Sequence, residues 1–256
     1  MPIDDTVRRQ RQILKAIGFD KPLPPGVLTD QQAGLPEPPV QKPYPEGAVV
    51  IELPPPDAAL GALPTFEAIA RRESRRKYEG KSITLEQLSF LLWSTQGIRK
   101  KLVIEGATKY RRMAPSAGAR HPFETYLAVE RVEGLEPGMY RYLNLEHRLV
   151  LIRTETGLGE KVGRASCEQV WMRDGAVVFI WTALPYRTEW RYQMKSHKVI
   201  LLDAGHVCQN LYLACEALGL GTCAVAAYVQ NQVDELIEVD GEEELTVYLA
   251  PVGRVD

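Results

Sequence analysis

The chain has 256 residues, 45% of them apolar, which suits one full-sized core. Its 31 basic and 33 acidic residues leave a net charge of −2, without the basic bias of a protein built to neutralise a nucleic-acid backbone, so no nucleic-acid partner is expected. The cysteines, Cys167, Cys208, Cys215 and Cys223, form no CxxC pair, and no histidine joins them at zinc-ligand spacing, so no metal site is expected either.

The first 64 residues hold 13 of the 18 prolines, in KPLPPG, LPEPPVQKPYP and ELPPPD. After a short helical start, VRRQRQILKAIGF, such a stretch sustains neither helix nor inner strand. Two readings stand: an extended arm lying over the domain or reaching a partner subunit, and a disordered tail. The opening MPIDDTVRRQ lacks the apolar core of a signal peptide, and no apolar run reaches membrane-spanning length. The expectation is a cytoplasmic protein without membrane contact.

A folded body is predicted from 63 to 256, with 1–62 as the proline-rich arm. Phe66, Ile69 and Ala70 share one face of a helix that runs into Arg71-Arg72. Thr84 and Gln87 form a capping box, Ile83 and Leu88 a hydrophobic staple, for a helix that turns Leu85, Leu88 and Leu92 inward and stops near Gly97. Strands follow at Thr125–Val129 and in a hairpin, MYRYL and RLVLI flanking NLEH. AVVFIWTAL (176–184) is continuously apolar and reads as a central strand covered on both faces. The longest helix runs from Val199 to Leu218, closed by Gly219, with Cys208 and Cys215 as small core residues. A short helix near Gln230–Ile237 and a strand at Leu245–Ala250 complete an α+β order.

Familiar catalytic signatures are missing. There is no GxxxxGK[ST] and no GxSxG, and the GxGxxA of Gly219–Ala224 follows a helix where a dinucleotide site must follow a strand. His121 and His206 stand isolated and read as structural.

Three stretches keep a chemical reading. RRESRRKY (71–78) sits past a helix C-terminus, where the dipole is negative, so any anion there must be held by side chains; arginine forks and a serine hydroxyl suit a phosphate. The alternative is a turn whose cations offset the dipole and point to water. MAPSAGARHPFE (113–124) places very small residues between two prolines, which lets a flat ligand approach the backbone. GLGTCAVAAY (219–228) exposes backbone N–H groups after a helix exit, able to bond a heteroaromatic acceptor. Each also reads as an ordinary turn.

In order, RRESRRKY, SITLEQLSFLLWSTQGI, MAPSAGARHPFETYLAV, GLEPGMYRYLNLEHRLVLI, CEQVWMRDGAVVFIWTAL, LLDAGHVCQNLYLACEALGLGT and LAPVGR resemble the nitroreductase superfamily, and within it the SagB-type dehydrogenases, over about 63 to 254. The resemblance implies a mainly antiparallel sheet flanked by helices, an obligate homodimer, and FMN in each interface cleft, carrying hydride between NAD(P)H and a small acceptor. Carried over, Arg72, Ser74 and Arg76 meet the flavin phosphate, with Arg254 added from the last turn. Pro115, Ser116 and Gly118 border the ring, and the backbone of Ala224, Val225 and Ala226 faces its N5 edge. Arg120 is the candidate cation for the anionic reduced ring.

Two departures stand out. Arg120-His121 replaces a Leu-Tyr-like pair of the branch. Arg191-Tyr192 stands where azoline-oxidising members carry Lys-Tyr. Arginine keeps its proton and is a poor base, although Lys195 is close by; Tyr192 remains a candidate proton donor or a packing residue. Three functions are therefore weighed: an FMN-dependent reductase of nitro compounds or quinones, an azoline-oxidising peptide dehydrogenase, and a non-catalytic phosphate- or RNA-binding module.

Overall fold

The computed structural model describes residues 4–15, 26–104 and 106–256. In chain order the elements are α1 (Asp5–Gln10), β1 (Val50–Glu52), α2 (Thr65–Arg71), α3 (Leu85–Gln96), β2 (Ile98–Ile104), β3 (Ala107–Arg112), β4 (Phe123–Val129), β5 (Gly138–Leu143), β6 (Arg148–Thr154), α4 (Leu158–Ala165), β7 (Val177–Ala183), α5 (Tyr186–Tyr192), α6 (Ser196–Ala217), β8 (Leu220–Thr222), α7 (Gln230–Leu236) and β9 (Leu245–Arg254). Of the predicted opening helix, α1 and a 3-10 turn at Arg11–Leu14 are seen, and its last residues lie outside the described ones.

Seven strands form one sheet in the order β1-β6-β5-β4-β7-β9-β8, every neighbouring pair antiparallel. β7 lies inside it, between β4 and β9, and is buried throughout, as a continuously apolar strand requires. Its side chains alternate between two cores. Val177, Phe179 and Trp181 join α3 and α6 on one face, while Val178 and Ile180 join α4 and α7 on the other. The capping box of α3 forms with both Thr84–Gln87 hydrogen bonds, at 3.0 and 3.2 Å, and fixes where that helix enters the core.

The face of α2 shared by Phe66, Ile69 and Ala70 is turned away from the core. Phe66 is 83% and Ile69 60% exposed, and Ala70 is exposed as well; Ala68 is the residue that turns inward. The helix has only seven residues and packs on α6 through its small side, so its large apolar side finds no cover within one chain. The hairpin β2–β3, the short helices α4 and α5, and strands β1 and β8 are elements that the sequence reading did not identify.

The proline-rich residues from 26 onward lie against this body. Prolines offer carbonyls but no N–H, and the body answers with buried arginines. Arg112 Nη2 donates to Val40 O at 2.7 Å, and Arg141 donates to Lys42 O and Pro43 O at 2.8 and 2.7 Å. Lys42 Nζ reaches Glu244 at 2.5 Å. Val49 O then accepts from Leu151 N at 2.9 Å, and Val50–Glu52 becomes the edge strand beside β6.

Candidate active site

RRESRRKY leaves α2 at Arg72 and runs beside β8. Ser74 bridges Thr222 in parallel fashion, Arg75 N donates to Thr222 O at 3.0 Å, and Glu79 N donates to Arg254 O at 3.0 Å. This places the stretch next to the C-terminal end of β9, with Arg254 at the same sheet edge. The structure sorts the cations. Arg71 pairs with Glu67, and Arg75 pairs with Glu73 at 2.7 Å and Glu216 at 3.4 Å. Among the described residues, Arg72, Arg76 and Arg254 have no ion pair. Arg254 donates its Nε to Ser82 O at 2.7 Å, and the Arg72 guanidinium lies 5.3 Å from the centre of the Tyr212 ring. Gly221 is held to glycine because a Cβ there would lie 2.8 Å from the Arg75 side chain and 2.4 Å from that of Val255.

Tyr212, on α6, is the residue the sequence reading missed. Its hydroxyl shares a 2.9 Å hydrogen bond with Ser74 Oγ and accepts from Ala224 N at 2.8 Å. The expectation of free amides after Gly219 is therefore corrected. Ala224 N is taken by Tyr212, Val225 N donates to Leu249 O at 2.8 Å, and only Ala226 of the three is exposed. The only signal for Tyr212 in the sequence is a polar-tipped aromatic on the inward face of a long apolar helix.

The small-residue loop stands elsewhere on α6. Ala117 N donates to both carboxylate oxygens of Asp203, at 3.1 and 3.2 Å, and Ser116 Oγ accepts from His121 N at 2.9 Å. Burial pushes the Asp203 carboxyl upward, against the hydrogen bonds from Ser116 and Ala117. Gly118, Ala119 and His121 all adopt positive φ, at 58°, 54° and 47°. Gly118 has a second reason to be glycine: a Cβ would meet the Tyr192 hydroxyl at 2.5 Å. That contact brings Tyr192 to the loop. Pro115 is exposed beside it.

Arg120 is 8% exposed, its guanidinium 5.0 Å from the Trp190 ring centre and ion-paired with Glu37 of the arm. The His121 imidazole is pushed down to about 3, first by burial and then by the charges of Arg112, Arg120 and Arg111, so it stays neutral and does not serve as a proton donor near neutral pH. Arg120, Gly118, Lys109, Arg111, Arg191 and Glu37 line a cleft of about 600 Å³ between arm, β3 and loop.

The predicted site residues thus fall into two stations. Arg72, Ser74 and the turn at Ala224 gather around Tyr212, with Arg76 two residues further along the same stretch; Pro115–Gly118, Arg120 and Tyr192 gather near Asp203. Nine positions of α6 separate the two, about 13 Å at the rise of a helix.

A sequence model described as the nitroreductase family matches residues 69–254. A Methanocaldococcus jannaschii protein bearing the name nitroreductase is 32% identical over 188 residues, 73% of this chain and 89% of that protein. The trifolitoxin-processing protein TfxB of Rhizobium leguminosarum bv. trifolii is 31% identical over 134 residues, and the chain spans only 36% of that protein's length. Among solved structures, one from Ralstonia eutropha, also named nitroreductase, superposes with a TM-score of 0.66 at 26% identity, covering 87% of this chain and 99% of that one. Sheet order, flanking helices and these likenesses define a flavin-dependent oxidoreductase. The chain belongs to the nitroreductase family. Among the described residues no helix is long and apolar enough to cross a membrane.

Proposed function

We propose that the chain binds FMN as a homodimer and passes hydride from NAD(P)H to a small acceptor such as a nitro compound or quinone. The observation that carries this reading is the sorting of the cationic stretch. Arg72 and Arg76 keep their charge without a carboxylate partner, on either side of the Ser74 hydroxyl, beside Arg254 at the same sheet edge. That donor set fits a phosphate monoester, for which charge-assisted hydrogen bonds from arginine forks are the strong contacts. Gly118 lines the cleft, and the side chain it lacks is the room that Tyr192 fills.

Bound FMN supplies a reversible hydride carrier. The chain's own part is to hold and align. Arg72, Ser74, Arg76 and Arg254 anchor the phosphate; Pro115, Ser116 and Gly118 offer the ring a close backbone; Ala226 leaves the exposed amide of the 224–226 turn. Arg120 supplies positive charge beside that loop, shared with Glu37. Tyr192, packed on Gly118, brings a hydroxyl able to move a proton there. The dimer is supported by the exposed Phe66 and Ile69 of α2 and Leu201 and Leu202 of α6. A second copy also offers a way to set the loop of one chain against the phosphate station of the other.

The test is direct. Purified protein should be yellow, or take up FMN when offered it, and should oxidise NAD(P)H when a nitroaromatic or quinone is added. A colourless protein that refuses FMN sinks the reading. Similarity to a peptide-processing protein favours a second reading, oxidation of azoline rings in a peptide. Arg191 in place of a lysine counts against it, because a guanidinium does not act as a base. Flavin reduced only by a thiazoline or oxazoline peptide would decide for that alternative.

A further inference from the structure

Glu37 sits in a cationic hollow. Its carboxylate pairs with both Lys109 of β3 and Arg120 of the loop. Among the described residues, the same cleft is lined by four cations, Lys109, Arg111, Arg120 and Arg191, against this single carboxylate. A structural ion pair needs one cation; three remain in excess here. Arg120 is nine-tenths buried, and its Nε has no hydrogen-bond partner. A buried guanidinium with an idle donor is costly unless something else meets it.

Apart from Gln31 and Thr108, the rest of the wall is apolar or aromatic, including Pro38, Pro39, Val40, Leu102, Ile104 and Tyr110. A volume of about 600 Å³ is that of a small-molecule site. The cations Lys109, Arg111, Arg120 and Arg191 lie inside the region matched by the family model, whereas Glu37 lies outside it, on the arm. Burial opposes the charge of Glu37, but the hydrogen bonds and charges of Lys109 and Arg120 outweigh it, and its carboxyl titrates below the ordinary range.

We propose that this cleft is the binding site of an organic carboxylate, and that Glu37 is an internal carboxylate holding the Lys109–Arg120 pair until that ligand displaces it. The apolar wall takes the body of the ligand, the cations its charged end. The inference deepens the reading of a small acceptor, because the cleft opens beside Gly118; it names that acceptor as an anion. The arm then acts as a competitor, which keeps the buried Arg120 and its neighbour Lys109 satisfied between turnovers and discriminates against neutral compounds.

The experiment uses the full chain and two probes of matched shape, 4-nitrobenzoate and 4-nitrobenzamide, with binding followed by calorimetry and turnover measured alongside. The carboxylate should bind about tenfold or more tightly than the amide, as a charge-assisted pair against a neutral one. Glu37→Gln should widen that preference about fivefold or more by removing the competitor, and Lys109→Gln should shrink it. High salt should also shrink it. Equal binding of the two probes, binding of neither, or a preference that Glu37→Gln leaves unchanged or narrows overturns the proposal. The comparison on the unmodified protein does not depend on any variant folding. A yellow, active enzyme with no carboxylate preference defeats this inference alone; a colourless protein that still prefers the carboxylate defeats only the flavin reading.

Discussion

The Tyr212 hydroxyl lies 2.9 Å from Ser74 Oγ, joining the central helix to the cationic stretch across 138 positions of sequence. The same hydroxyl accepts from Ala224 N at 2.8 Å, so one side chain sets the spacing between the proposed phosphate station and the turn after β8. Tyr212→Phe removes both bonds and leaves a half-buried amide unpaired. The expected cost is about 1–3 kcal/mol of stability, read from urea denaturation, with weaker FMN retention. An unchanged midpoint and unchanged flavin content would show that the hydroxyl organises nothing.

Arg76 is exposed and has no ion pair among the described residues, so its loss should scarcely touch the fold. Arg76→Ala should weaken FMN binding about tenfold or more while the melting temperature of the flavin-free protein stays put. Flavin titration of the two proteins checks this; equal affinity places the phosphate elsewhere.

Phe66 and Ile69 offer a large apolar face to water on a seven-residue helix. Such a face is expected to be covered by a second copy. Phe66→Glu with Ile69→Glu should convert a dimer to monomers in light scattering, and flavin content should fall with it. A wild-type protein that is monomeric at all concentrations rejects the dimer.

His121 is buried and neutral, with its imidazole held down at about 3. The unfolded chain takes up that proton near the ordinary histidine value, so the folded state loses stability as pH falls from about 6.5 toward 3. Between pH 7.5 and pH 5 the loss assigned to this residue is about 2 kcal/mol. His121→Asn, which tolerates the positive φ, should flatten that pH dependence in denaturant melts. An equally steep dependence in the variant assigns the effect to other groups.

Much of the scaffold was legible in the sequence. The capping box announced α3, and the unbroken apolar run announced β7, because burial on both faces leaves no polar positions to mix in. The β2–β3 hairpin stayed hidden since most of it faces solvent, so IRKKLVI and ATKYRR carry no clean alternation. β8 has three residues, too few for any pattern, and β1 is a strand only because β6 offers an edge to a proline-rich segment.

The site divides in the same way. The sequence by itself determined which residue types were available: a cationic stretch around a serine, a loop of small residues, and the family to which their order belongs. Only the tertiary structure decided which arginines are spent on neighbouring carboxylates, that Tyr212 occupies two of the expected donors and acceptors, and that Glu37 meets Arg120 from 83 residues away. The physical reason is that charge pairing and hydrogen bonding depend on separations of a few ångströms, which packing sets and which distance along the chain does not encode.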